Sequence, residues 1–531
     1  MIRPARTTQA AIPLPTYPFS SYLHMMNYDP TAAGATTHAA ARTSRRNLLR
    51  GIAAVAGGAI GTRYSPGGEV SSDELPAVVP TSGTKPAVRP FQGLLENEGH
   101  VYANWGRSCE TKPAVYVEPL TDDDVRAVVA DAERFPGPVS PVGSMLSVTK
   151  TVVNDGGTLM CMRKLDAILG LERDAAGRQV VRVQAGCRLK KLHLWLQSRE
   201  LEIPFQAEIG EATVGSMAVG DTKDSSLDGP GYFSASVVGL RYVDERGNLQ
   251  TLDESTDSQA LAEFICSYGL AGVVVECLVA VRPAVLCRSR FSSAKEETPE
   301  RLAARLRRLH AECDNLWATV SLDNLTATCD QRFRAGPGAV TPAASLPQMD
   351  AVRLQRRFSI QHGLSAKAMG RLEPLPAELV YSRADLIDEY WRPDTTESRL
   401  DFQFYEHDFP GLERVLGESF AFTNRFRENH GFSPHAWILY FVCRPERARK
   451  PFGLYSGGPG VSFSFDPVFS DPVDPRWQRF ARDYNQLAIH ELGGRPSPIQ
   501  TQWLTSADLR VPTRLARPRF TTPYYAQFLD G

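Results

Sequence analysis

The chain has 531 residues, enough for two or three domains with large cores. Its formal net charge is −1 and it carries no strong basic patch, which argues against nucleic acid as a partner. Its nine cysteines include no C-x-x-C pair, and several, Cys277 among them, sit in apolar, strand-like sequence, so buried thiols are favoured over a disulfide framework or a metal site.

Near the N-terminus, Ser44-Arg-Arg-Asn-Leu-Leu-Arg50 precedes the weakly apolar segment Gly51–Gly61. Paired arginines before a short Gly/Ala-rich segment resemble a twin-arginine signal, which implies export to the bacterial periplasm or medium. A chance Arg-Arg pair ahead of an Ala-rich helix is the alternative. The motif starts late enough that Met25 or Met26 can be the true start, and no clear A-x-A cleavage site follows. Residues 51–61 are too few to span a membrane, so no stable membrane insertion is expected. Residues 1–61 form the signal region, and 62–95, rich in Pro, Gly and Ser, form a linker.

Asn104-Trp105-Gly106 opens the next region. Thr121-Asp-Asp-Asp-Val predicts a helix capped by Thr121, with Asp124 three residues on. Gly143, Ser144, Met145, Leu146 and Ser147 form a small-residue turn after an apolar run. Gly156 to Leu165 reads as strand and turn. Val180-Val-Arg-Val-Gln-Ala-Gly186 is a strand leading into a helix with Leu189, Leu192, Trp195 and Leu196. A second small-residue run follows, Thr213-Val-Gly-Ser-Met-Ala-Val-Gly-Asp-Thr222, including Gly215, Ser216 and Gly220. A third glycine turn, Tyr268-Gly-Leu-Ala-Gly-Val-Val-Val275, brings in Gly272 and Val273. Consecutive amides and hydroxyls in such turns can hold a diphosphate. An ordinary Gly-rich turn between strands is the plainer reading. The 213–222 run matches neither G-x-G-x-x-G nor G-x-x-x-x-G-K-[ST], so the two commonest nucleotide motifs are excluded there.

The ordered set of these segments resembles the FAD-binding domain of the vanillyl-alcohol oxidase superfamily, also called the p-cresol methylhydroxylase type. That resemblance implies an α+β protein: a two-subdomain FAD-binding domain at 96–283 and an α+β substrate domain at 284–510 whose sheet covers the flavin. A tail at 511–531 would pack back on the FAD-binding domain. Beyond Pro283, Thr298-Pro299 starts a helix with Leu302, Leu306 and Leu309 at helical spacing. Residues 335–350 read as a loop. Arg399 to Asp408 and His435 to Val442 alternate like strands. Helices are expected from Leu412 to Asn429, with Gly431 near its end, and from about Pro475 to Glu491, stopping at Gly493-Gly494.

The C-terminal Gly493-Gly-Arg-Pro-Ser-Pro-Ile-Gln500 and Pro518–Leu529 resemble the aldonolactone and alditol oxidase branch, whose G-G-x-P-H-W-x-K pattern places His and Lys at the flavin. Here Ser497 and Gln500 stand at those positions, and Pro498 replaces the Trp. Covalent members of the superfamily carry His in the first turn, where this chain has Leu146; type II sterol oxidases with a covalent flavin show it as G-x-M-H. Leucine has no nucleophilic nitrogen, so dissociable FAD is expected. Cys187 is in the wrong segment to be the linking residue.

A flavin needs a substrate C–H over its hydride-accepting nitrogen, an acceptor for the hydroxyl proton, and a donor for the reduced ring. Alternation places Asp401, Gln403, Tyr405 and His407 on one face of the 401–407 strand and Phe402, Phe404 and Glu406 on the other. The polar face reads either as a flavin roof, with Gln403, Tyr405 and His407 as catalytic candidates, or as a solvated edge. His435, opening the next strand, and Gln500, by its place in the tail motif, are further candidates. Arg495 reads as a phosphate or surface contact rather than a catalyst. The cofactor-binding candidates are Gly143, Ser144, Met145, Leu146, Ser147, Thr213, Gly215, Ser216, Gly220, Thr222, Gly272 and Val273, and no metal is expected. The leading function is an FAD-dependent oxidase or dehydrogenase acting on a CH–OH group of a small molecule, with oxygen or an unknown electron acceptor. Oxidation of a larger polycyclic or secondary-metabolite substrate, and a noncatalytic flavin-binding protein, remain as alternatives.

Overall fold

The computed structural model describes residues 91–530 apart from 98–99, 206, 208, 224–226, 228–230, 266, 337–377, 387–400, 435 and 444–459. The signal region, the linker up to residue 90 and the candidate His435 therefore lie outside the described residues.

Two sheets build the N-terminal half. Strands Val115–Glu118, Thr158–Cys161 and Val139–Val142 run parallel, and Leu94–Asn97 adds an antiparallel edge. The second sheet is antiparallel, in the order Leu249–Asp253, Val237–Val243, Val273–Ala280, Gln179–Gln184, Ile168–Arg173. Helix Asp122–Ala130 starts where its sequence says it should. The Thr121 side chain accepts from the Asp124 amide and Asp124 accepts from the Thr121 amide, a reciprocal cap. Its buried Val125 and Val128 share one core with Val117, Val139 and Met160 of the first sheet and Val243, Val273 and Val275 of the second. Apolar residues from both sheets thus close on one helix, and the ends of their strands are brought together.

The C-terminal half is a nine-stranded sheet running from Glu378–Tyr381 through Cys287–Lys295, Thr326–Arg334, Asn315–Ser321, Ala436–Cys443, Val461–Phe469 and Tyr405–Asp408 to Arg495–Pro496. Asp401–Phe402 is the ninth strand and pairs with Val461–Phe469. Three helices cover one face. Pro299–Ala311 is capped by Thr298 with proline in its first turn. Leu412–His430 ends at Gly431 in the left-handed conformation (φ 62°). Pro475–Asn485 continues as a π turn to Glu491 before Gly493 (φ 69°). Period-two alternation sorts the strands cleanly. Trp437, Leu439, Phe441, Phe463 and Phe465 pack under the helices. Trp317, Phe402, Tyr440, Val442 and Val468 pack on the opposite side, in one core with Val214, Met217, Ala218 and Phe233 of the N-terminal half.

This sorting corrects the expectation for residues 401–407. The alternation is as expected, but the polar face turns toward the helices and not toward the N-terminal half. Tyr405 is fully buried, its hydroxyl donates to Asn485 Oδ1, and its ring meets Tyr484 edge-on at 5.4 Å. Asp401 accepts from Trp477 Nε1 (2.7 Å) and Gln502 Nε2 (2.8 Å), and Gln403 Oε1 accepts from the Gln502 amide (2.9 Å). His407 lies against Phe463 (5.5 Å) and over Gly494, where a Cβ would come within 2.6 Å of its ring. These polar groups find partners in the helical layer or lie enclosed by it, so the face is neither solvated nor a cavity wall. Tyr405, Gln403 and His407 are buried on the helix side of the sheet and do not line the cavity beside the N-terminal half.

Replacing Tyr405 by Phe should cost about 1–3 kcal/mol, because the buried Asn485 oxygen loses its donor, while flavin content and the rate of flavin reduction stay at the parent values. Burial and nearby Arg495 hold His407 down to about 3, well below the usual imidazole value. Unfolding lets this histidine take up a proton that the fold refuses. Its contribution to stability is therefore lost as pH falls from about 6.5 toward 3. His407→Phe should lose less melting temperature than the parent between neutral and acid pH; an equal loss in both would contradict the assignment.

Candidate functional site

Strand Val139–Val142 delivers the turn 143–147 to the seam between the two N-terminal sheets. Met145 adopts a positive φ of 53° there, so the backbone reverses sharply. The turn is pinned from behind. Ser144 Oγ donates to Glu211 O (2.6 Å), the Trp105 amide to Met145 O (2.8 Å), and Asn104 Nδ2 to Ser147 O (2.8 Å). The Asn104-Trp105-Gly106 segment thus acts as a brace. With its carbonyls and the Ser144 hydroxyl engaged, the amides of Ser144, Met145, Leu146 and Ser147 meet no acceptor among the described residues. Such a row of unpaired amides suits an anion.

The 213–222 run corrects a second expectation, because most of it is a short helix, Val214–Val219, and not a turn. Its glycines serve packing. A Cβ on Gly215 would come within 2.7 Å of Ala185 Cβ, and one on Gly143 would collide with the hydroxyls of Thr213 and Ser216. Those two hydroxyls lie 2.7 Å from each other. Gly272 is likewise held by the ring of Tyr242, at 2.6 Å from a built Cβ.

One cavity opens at this junction. It is lined by Gly143, Ser144, Met145, Leu146, Ser147, Thr213, Gly215, Ser216, Gly220, Thr222 and Gly272, so the three small-residue segments meet in space. Val273 does not join them. It is fully buried in the core beside Val125, because alternation along its strand turns it inward. Gln500 does line the cavity, and its buried Oε1 has no hydrogen-bond partner among the described residues. The segment carrying it is stitched to the N-terminal half: Thr149 Oγ1 (2.9 Å) and Tyr524 OH (2.7 Å) donate to Pro498 O, and the Val148 amide donates to Ile499 O (3.2 Å). Sequence reading missed Tyr268, Phe520, Thr522 and Tyr525 on the lining. The last three sit on the tail, which Arg519 anchors by donating to the carbonyls of Val128, Val129 and Phe135.

The residues fit a dinucleotide flavin. Among the described lining residues there is no lysine or arginine, so unpaired amides and hydroxyls would meet the diphosphate, and the orphaned Gln500 Oε1 would meet a polar ring edge. Leu146 lines the cavity and offers no nucleophile. Cys187 is fully buried off the described lining, with its thiol pushed up to about 12 by burial.

Beyond Thr222 a set of buried charges bridges to the nine-stranded sheet. Lys223 Nζ donates to Ser464 Oγ (3.2 Å) and lies 4.8 Å over the Phe404 ring. Ser464 Oγ donates to Asp466 (2.6 Å). Glu406 accepts from Tyr232 OH and from Ser462 Oγ (2.6 Å), and pairs with Arg495 (3.4 Å). Burial pushes Asp466 up to about 7, against the pull of Lys223 and Ser464. Arg495 is therefore an ion-pair partner. The face that carries Glu406 and Phe404, set aside at the sequence level, is the one that meets the cofactor-binding half.

Residues 113–253 match the family model of the FAD binding domain. Among curated proteins, the chain is 30% identical over 193 residues to the D-arabinono-1,4-lactone oxidase of Eremothecium gossypii, covering 36% of each chain. It is 24% identical over 212 residues to the L-gulonolactone oxidase of Mus musculus, covering 40% of this chain and 47% of that one. The matched region spans between about a third and a half of those relatives' length. The cholesterol oxidase of B. sterolicum superposes with a TM-score of 0.60 at 13% identity, over 81% of this chain and 89% of that one, which shows a shared fold. The matched domain, the lactone oxidase relatives and the shared two-part fold together support the vanillyl-alcohol oxidase, or p-cresol methylhydroxylase-type, superfamily of FAD-binding oxidoreductases.

Proposed function

We propose that the protein removes hydride from a CH–OH group of an organic substrate, using FAD held without a covalent bond. The observation that carries this reading is the continuity of the site. The cavity lined by residues of 143–147 and 213–222 also takes in Gln500, and just beyond that run Lys223 reaches Ser464 on the inner face of the nine-stranded sheet. Bound flavin supplies the hydride acceptor. The chain's own residues hold the diphosphate through the amides of 144–147, exclude water by closing the sheet over the cofactor side, and place buried acids where a hydroxyl proton must go. The relatives' names as lactone oxidases support an oxidase, with oxygen as the electron acceptor.

A second reading concerns substrate size. The inner sheet face presents Phe402 stacked on Phe404 at 4.8 Å, together with Trp317 and Tyr440. These rings are packed in the core between the two halves, so a larger, apolar alcohol would fit only if they lie next to the substrate, and the substrate panel decides between that and a polyhydroxylated lactone. We infer as well that residues 44–61 direct export, on the strength of the paired Arg45 and Arg46 before an apolar segment.

Acid precipitation of purified protein should leave the yellow colour in the supernatant; colour in the pellet would contradict a dissociable flavin. Under anaerobic conditions, one or more of a panel of alditols, lactones, sterols and aromatic alcohols should bleach the flavin. A flavin that none of them bleaches would favour a noncatalytic flavin protein. The double substitution Arg45→Lys, Arg46→Lys should strand folded, flavin-loaded protein in the cytoplasm, and its unimpeded appearance outside the cell would refute the export signal.

A further inference from the structure

Asp221 sits between Gly220 and Thr222, both on the cavity lining, and is itself buried just behind that lining, near Lys223. It is 3% exposed, and neither carboxylate oxygen makes a hydrogen bond to the described residues. A buried carboxylate without partners is costly and persists where it has other work. Two more unpartnered buried polar atoms belong to the neighbouring segment, Ser497 Oγ and Gln500 Oε1. Ser497 Oγ is close enough to Asp221 to favour its charge, though not in hydrogen-bonding geometry.

We propose that Asp221 takes the hydroxyl proton of the substrate as hydride leaves the adjoining carbon. The proposal rests on the oxidoreductase reading above and gives a residue to its proton step. The substrate O–H bond breaks and its proton binds a carboxylate oxygen of Asp221. The C–H bond breaks with its electron pair, which bound FAD accepts, and the C–O single bond becomes a carbonyl. The alcohol thereby loses two electrons and two hydrogens, one as hydride and one as the proton on the acid. Gln500, on the cavity lining, and Ser497, near Asp221, would supply further polar groups at this end of the site.

The surroundings suit a base that works near neutral pH. Burial raises the carboxyl to about 6, opposed by Lys223 and Ser497, with Glu406 adding to the rise. Tyr440 from the sheet and Tyr524 and Tyr525 from the tail also face the charge of Asp221, and burial raises each of these phenols. Asp466 stands beyond Lys223 and shares its positive charge. A carboxyl in this range is ionised at neutral pH yet basic enough to accept a proton in a transition state.

The test is anaerobic stopped-flow reduction of the FAD-loaded parent, Asp221→Asn and Asp221→Glu across pH, using the best alcohol from the panel, beside an infrared pH titration of the same proteins. In the parent, flavin reduction should rise with pH through about 6 as the acid deprotonates. Asp221→Asn should slow reduction by roughly 10²–10⁴-fold and abolish that limb, with flavin content and melting temperature little changed. The infrared band of a protonated carboxyl that appears on acidification through this range should vanish in Asp221→Asn. Asp221→Glu should keep the limb but displace it in pH, and it decides the matter should the Asn variant not take up flavin. Unchanged rate and profile in Asp221→Asn, or an unmoved limb in Asp221→Glu, would overturn the assignment while leaving the oxidoreductase reading intact. A parent that no alcohol bleaches would overturn both.

Discussion

The row of unpaired amides at 144–147 is the feature on which the rest of the molecule depends. It exists because the groups around those amides are already spoken for: the Ser144 hydroxyl by Glu211, the Met145 carbonyl by Trp105, the Ser147 carbonyl by Asn104. Gly143 lets the hydroxyls of Thr213 and Ser216 close in on the turn, and Gly215 lets their helix sit directly on Ala185. A side chain at Gly143 would push the turn off Thr213 and Ser216, and one at Gly215 would lift their helix off Ala185. The anion site is therefore a consequence of close packing between two sheets that share the helix Asp122–Ala130. The same turn receives the C-terminal half, because Val148 and Thr149 hold the 498–499 carbonyls. The N-terminal half and the segment that follows the nine-stranded sheet are thus registered to each other through one short stretch of backbone.

Electrostatics sets the character of the seam. Asp221, Asp466, Glu406, Lys223 and Arg495 lie within one region, and all but Arg495 are less than a tenth exposed. Desolvation raises Asp221 to about 6 and Asp466 to about 7, so each binds a proton more readily when folded than when unfolded. Through that window these two groups reduce stability as pH rises, the reverse of an ordinary paired surface carboxylate. Under the proposed oxidation of an alcohol, buried acids of this kind would stand where a hydroxyl proton is released.

Much of this was legible in the sequence, and the parts that were share a cause. Helix starts at Thr121 and Thr298-Pro299, and the helix end at Gly431, rest on local chemistry within four residues and appear where expected. The three small-residue segments also converge, because each is a place where backbone must come close to something. The misses come from what local pattern cannot carry. Period-two alternation divides residues 401–407 correctly into two faces, but either face of a two-sided sheet can meet helices. Here the hydrogen-bond partners Asn485, Trp477 and Gln502, distant in sequence, take Tyr405, Asp401 and Gln403 into the helical layer. Val273 turned inward for the same reason. Asp221 and Lys223 follow the glycine run directly, yet only the fold shows that their neighbours lie on the sheet more than 200 residues on. The tail's Phe520, Thr522 and Tyr525 reach the cavity through the Arg519 anchor, a contact spanning nearly the whole described chain.

The central claim is that the junction of 143–147 with 213–222 holds FAD and that Gln500 stands at its ring end. An experimental structure of the flavin-loaded protein tests it most directly. Diphosphate oxygens should lie within hydrogen-bonding distance of the 144–147 amides, with the isoalloxazine edge beside Gln500 and the Phe404 and Asp221 side of the seam facing the ring. FAD bound elsewhere, or a diphosphate held by side chains away from the 144–147 amides, would contradict it.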